Sequence, residues 1–276
     1  MTPGRPWPCW PPAVSPPGSS EPWSRLPRGR RRPSRPRAGC GSRRPPSDRS
    51  PEGGSRSLRI DAGRLATPEA PLRLGVLVSG RGTNLQALLD ATASGAIPAR
   101  IVVVLSDRAG APALERARRA GVPAAHLDPR AFPDRASFDA CLARRLEEAG
   151  VELVCLAGFM RVLTPDFVRR FRHRILNVHP SLLPAFAGKD AQAQAIAYGV
   201  KLSGCTIHLV DEGVDTGPIV LQAAVEVRDD DTPESLAARI LPHEHRLYVE
   251  AVRLFASRRL VLEGRRVRIL PEEAPA

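Results

Sequence analysis

The chain has 276 residues and carries 41 Lys and Arg against 29 Asp and Glu, a formal charge of +12. No apolar run reaches the roughly 18–20 residues that a membrane-crossing helix needs, so a helical membrane protein is not expected. Such a charge suggests a nucleic-acid binder, but it is unevenly placed. Residues 1–71 hold 14 Arg against five acids, 16 of the 29 Pro and all three Trp, whereas residues 72–276 are nearly balanced at +3. A nucleic-acid-binding fold should be basic across its body, so no nucleic-acid partner is expected here.

Stretches such as Arg28–Arg37 (RGRRRPSRPR) lack the periodic aliphatics that offset the entropy of ordering. Residues 1–71 are therefore predicted to form a disordered tail. An Arg- and Ser-rich start suits an organellar transit peptide, but its dense prolines oppose the amphipathic helix such peptides use. A tether to nucleic acid, with Trp as stacking residues, is a second use. A third reading is a start codon assigned too far upstream in a GC-rich gene, consistent with only two lysines, Lys189 and Lys201, in the whole chain.

From Leu72 the pattern alternates. Leu72–Val78 reads as a strand, followed by a Ser79-Gly-Arg-Gly-Thr-Asn84 turn and a helix carrying Leu85, Leu88 and Leu89. Arg100–Leu105 is a second strand and Ala111–Arg119 a helix, ended by Gly121-Val-Pro123. Ala124–Leu127 is a short strand, Asp134–Ala149 a helix, Val151–Leu156 a strand and Pro165–Phe171 a short helix. Arg174–Val178 leads as a strand into His179-Pro180. Lys201–Val210 and Pro218–Val227 read as longer strands around an acidic loop. A long helix starts at Thr232, with Pro233 at its first position, and Val261–Leu270 forms a hairpin around Glu263-Gly264. Apolar strands separated by helices predict a Rossmann-like α/β domain over residues 72–276. Its sheet is open and mostly parallel, with ligands at the carboxyl ends of the strands. The five cysteines form no CxxC pair, which suits a reducing, cytoplasmic setting and no zinc site.

Four segments could carry chemistry. The glycine turn at 79–84 suits an anion at a helix N-terminus, or is a plain tight turn capped by Thr83 or Asn84. Asn177 and His179 alternate onto one face of a strand, where an amide donor beside an imidazole suits acyl transfer. Pro180 ends that strand. Asp215, in the loop Asp211–Pro218, would orient His179 and favour its protonated form if the two meet. His208 could be a core or a site residue. His243-Glu244-His245 could bind a cationic or hydroxylated ligand, or form a salt-bridged helix face.

Together, VLVSGRGTNLQALLDA, LAGFMRVLTPDFV, LNVHPSLLPAF, GVKLSGCTIHLVDEGVDTGPIVLQ and HEHRLY resemble the phosphoribosylglycinamide formyltransferase family, from about Leu72 to Arg268. The resemblance implies transfer of a formyl group from 10-formyltetrahydrofolate to the amine of 5'-phosphoribosylglycinamide in purine biosynthesis, without a metal. By that similarity Asn177, His179 and Asp215 are the catalytic three. Gly82, Thr83 and Asn84 hold the substrate phosphate and Glu244 contacts the glycinamide substrate. Arg135, Met160, Arg161, Val162, Leu163 and Asn177 meet the folate. A cytoplasmic monomer or homodimer is expected. Many members carry a histidine soon after the SLLP segment, where this chain has Gly188-Lys-Asp-Ala-Gln192; either Lys189 or Gln192 covers the role, or the loop is a variable one. Two relatives share the Asn–His–Asp set. Methionyl-tRNA formyltransferase needs a further C-terminal domain, and formyltetrahydrofolate hydrolase a folded N-terminal one; neither is expected here.

Overall fold

A computed structural model describes residues 57–272. The first described element is β1 (Leu58–Ile60). After it come β2 (Leu72–Val78), α1 (Thr83–Ala93), β3 (Ala99–Ser106), α2 (Pro112–Arg119) and β4 (Ala124–His126). The chain continues through α3 (Arg135–Glu148), β5 (Leu153–Leu156), α4 (Pro165–Arg170), β6 (Ile175–His179) and α5 (Ala191–Tyr198). It closes with β7 (Leu202–Leu209), β8 (Ile219–Glu226), α6 (Pro233–Ala256), β9 (Leu260–Glu263) and β10 (Arg266–Ile269).

Seven strands form the main sheet in the order β4-β3-β2-β5-β6-β7-β8. The first five are parallel, and β7 and β8 turn antiparallel. This is the predicted open, mostly parallel α/β sheet. β2, β3, β5 and β6 are buried almost throughout, as strands covered on both faces must be, and their Val/Leu/Ile content follows from that. The strand order reverses between β2 and β5, one side running back to β4 and the other on to β6. Such a switch point opens a crevice at the carboxyl ends of the strands.

The helices end where their sequences say they should. Thr232 caps α6 by accepting the Ser235 N–H, while Ser235 Oγ accepts the Thr232 N–H, a reciprocal capping box. Asp134 caps α3 through the Ser137 N–H at 2.7 Å.

Two features differ from expectation. α5 has no counterpart among the predicted elements, because its fully buried residues are only Ala191 and Ala195, with Ile196 partly buried beside them, too weak a stripe to register as periodic. The tail boundary also moves. Residues 57–71, expected to belong to the disordered tail, are folded against the domain. β1 pairs antiparallel with β9, Leu58 opposite Leu262 and Ile60 opposite Leu260, and Ile60 is buried in the main core. Arg64 then forms a two-pronged contact to Glu152, at 3.0 and 2.8 Å, and Arg258 Nε donates to Asp61 at 2.7 Å. The prediction of disorder for residues 1–56 lies outside the described residues.

Candidate active site

The crevice at the switch point is a cleft of about 840 Å³. It is walled by the turn after β2, the segments after β5 and β6, the loop between β7 and β8, and one face of α6. All the predicted site residues but one line it.

The glycine turn enters α1 through Gly82, whose φ of 75° is the left-handed conformation that L side chains avoid. A Cβ there would also stand 2.6 Å from Ala113 Cβ, so the position requires glycine twice over. The Ala113 N–H donates to the Gly80 carbonyl at 3.2 Å and Arg116 Nε to the Arg81 carbonyl at 3.0 Å, bracing the turn from α2. Neither Thr83 nor Asn84 caps the helix. Asn84 Nδ2 instead donates to Glu244 Oε2 on α6 at 2.8 Å, and Asn84 Oδ1 has no protein partner. Burial raises the Glu244 carboxyl above the ordinary carboxylate range, against the smaller pull of Asn84 and Arg81.

Asn177 and His179 alternate along β6 and both reach the cleft. His179 Nε2 lies 2.9 Å from the Phe186 carbonyl, and Nδ1 lies 3.3 Å from Asp215 Oδ2. A carbonyl can only accept, so Nε2 carries a proton in every state that keeps this contact. Nδ1 is thus the nitrogen turned toward Asp215, which lines the cleft, whereas Phe186 does not. The sequence did not mark Phe186, since its main chain rather than its side chain does the work.

Asp215 adopts φ 54°, tolerated by Asp in a tight loop. That loop is tied by Asp211 Oδ1, which accepts from the Gly213 N–H and the Thr216 hydroxyl. It closes tightly: a Cβ on Gly217 would stand 1.7 Å from the Leu209 carbonyl oxygen. Burial pushes the Asp215 carboxyl up, but the neighbouring His208 ring, the Gly188 N–H at 2.8 Å and the charge of His179 outweigh it and hold the carboxyl below its ordinary value.

His208 belongs to the site. Its Nδ1 lies 2.9 Å from the Leu209 carbonyl, and its Nε2 lies 3.1 Å from Asn177 Nδ2 and 3.6 Å from Asp215 Oδ1. The second hydrogen of the Asn177 amide reaches Asp215 Oδ1 at 3.5 Å.

Beyond this cluster, Met160 and Val162 are largely exposed on the cleft wall, with Leu163 buried behind them. The wall is pinned at one end by Ser79 Oγ, which accepts the Met160 N–H at 2.9 Å, and at the other by Asp139 Oδ2, which accepts the Thr164 N–H at 2.6 Å. Ser79 belongs to the turn marked in the sequence, though not for this contact, and Asp139 did not stand out. Lys189 and Gln192 both line the cleft. Arg135, expected at the folate pocket, does not. It is the exposed first residue of α3, at the outer rim where Asp134 caps the helix. Among the described residues no three His, Cys, Asp or Glu side chains are grouped to hold a metal ion, and no helix is long and apolar enough to cross a membrane.

The formyl transferase family matches residues 72–252. The chain belongs to that family. Phosphoribosylglycinamide formyltransferase from Mycobacterium tuberculosis is 47% identical over 198 residues, covering 72% of this chain and 91% of that protein. The crystal structure of glycinamide ribonucleotide transformylase 1 from Symbiobacterium toebii superposes with a TM-score of 0.72 at 62% identity, covering 73% of this chain and 95% of the other. The trifunctional purine biosynthetic protein adenosine-3 of Drosophila pseudoobscura pseudoobscura is 49% identical over 205 residues, but the chain spans only 15% of that protein's length. Within the family, the enzyme type shared by the full-length relatives is the phosphoribosylglycinamide formyltransferase.

Proposed function

We propose that the chain transfers the formyl group of 10-formyltetrahydrofolate to the amine of 5'-phosphoribosylglycinamide. The observation that carries this reading is the contact set of Asn177, His179 and Asp215 at the carboxyl end of β6, placed between a glycine turn and an apolar wall. Gly82, Thr83 and Asn84 would present backbone N–H groups at the start of α1 to the substrate phosphate. Glu244 would meet the polar groups of the same substrate. The exposed faces of Met160 and Val162 offer a flat apolar surface suited to the folate ring system.

Attack of the amine on the formyl carbon makes a C–N bond and moves an electron pair onto the formyl oxygen. Asn177 stabilises that oxygen by turning one amide hydrogen to it, the one held by Asp215 at 3.5 Å being the weaker tie. His179 works through Nδ1: the Phe186 carbonyl keeps Nε2 protonated, so Nδ1 exchanges its proton with the substrate. Asp215, ionised because its carboxyl is held low, stabilises the ring while it is cationic. The amine's proton leaves through this pair, and the folate nitrogen regains one as the original C–N bond breaks.

His179→Ala and Asp215→Asn are each expected to reduce kcat at least about 100-fold, the low end of losing acid–base help. Near-normal turnover in either variant removes the assigned roles.

A further inference from the structure

Asp139, on α3, is buried, and the chemistry proposed for the cleft does not use it. Its Oδ2 holds the Thr164 N–H, but Oδ1 has no protein partner. An unpaired carboxylate in such a place is costly, by several kcal/mol in general. A complementary orphan stands nearby. Arg161 Nε is also buried without a partner, and the Arg161 guanidinium carbon lies 5.0 Å from the ring centre of Phe138, the residue before Asp139. Arg135 precedes Asp139 by one helical turn on the same face of α3. Burial pushes the Asp139 carboxyl up, and the Thr164 contacts and both arginines act against it.

We propose that Asp139 is a positioning residue for the folate wall, holding Thr164 by its N–H and Arg161 by its charge so that Met160–Leu163 keeps the shape that takes 10-formyltetrahydrofolate. The inference rests on the formyl-transfer reading for the identity of the ligand. The wall is then fixed from both ends by side chains of other elements, Ser79 at Met160 and Asp139 at Thr164. Only the Asp139 end also carries a charge that can orient a guanidinium, the group best suited to a carboxylate-bearing ligand such as a folate.

Asp139→Asn tests this, because the amide oxygen can still accept the Thr164 N–H while the charge is lost. Calorimetric titration of the full chain with 10-formyltetrahydrofolate should show the Kd raised about tenfold. KM for the folate should rise in step, with kcat and KM for phosphoribosylglycinamide within twofold of wild type. Adding Asp139→Asn to Arg161→Ala should raise the folate Kd no further than Arg161→Ala alone. An unchanged folate Kd in Asp139→Asn overturns the proposal. So does an equal loss of affinity for both substrates, which marks a scaffold role. A cavity of about 70 Å³ also touches Asp139; if its water alone satisfies Oδ1, the folate Kd stays at the wild-type value. The binding measurement needs no acceptor amine, so it separates failure of this inference from failure of the transfer reading.

Discussion

His179 is defined by two oxygens of different kinds. The Phe186 carbonyl can only accept and so holds Nε2, while Nδ1 faces the Asp215 carboxylate. Sequence alternation alone placed Asn177 and His179 on one face; that Asp215 joins them was implied by the family resemblance. It could not reveal Phe186 or Gly188, whose contributions are main-chain atoms and leave no side-chain signature. His208 was undecidable from its apolar strand; its place opposite Asn177 in the β6–β7 register decides it. Glu244 gives a prediction at this scale. Its carboxyl is raised by burial, so the folded state binds a proton more tightly than the unfolded chain. Stability therefore falls as pH rises through the ordinary carboxylate range and the penalty is complete above the raised value. Glu244→Gln keeps an acceptor for Asn84. It should raise Tm near pH 7.5 but not near pH 4, while raising KM for the amine substrate. Differential scanning calorimetry at the two pH values checks it; a lower Tm at about pH 7.5 would mean the charge is fully compensated.

At the level of elements, the parallel strands were legible because double-sided burial forces continuous Val, Leu and Ile runs, and the helices because caps and prolines mark their starts. α5 was not, since alanines carry too little apolar contrast. β1 was hidden for a different reason. Its three residues, Leu-Arg-Ile, sit in an Arg- and Pro-rich context, and only pairing with β9, far along the chain, makes them a strand. That pairing has an energetic consequence. Ile60 is 2% exposed, and Ile60→Ala should cost about 2–5 kcal/mol of folding stability, the usual range for emptying a core position. Urea unfolding measures it. A loss below about 0.5 kcal/mol, the size of a surface substitution, would show that β1 is an accessory to the domain.

For the molecule as a whole, the net charge of +12 separates into +9 over residues 1–71 and +3 over the rest. The basic stretch and the cleft residues thus belong to different parts of the sequence. The switch point between β2 and β5 gathers three chain segments far apart in sequence: the glycine turn, the Met160–Leu163 wall and the β6 terminus. The most direct measurement follows the labelled formyl group of 10-formyltetrahydrofolate, offered together with phosphoribosylglycinamide, methionyl-tRNA and water. Formylated phosphoribosylglycinamide and tetrahydrofolate should appear in equal amounts, with formate and formyl-methionyl-tRNA at background. Label appearing as formate, or on the tRNA, while the glycinamide amine stays unmodified would contradict the proposed transfer.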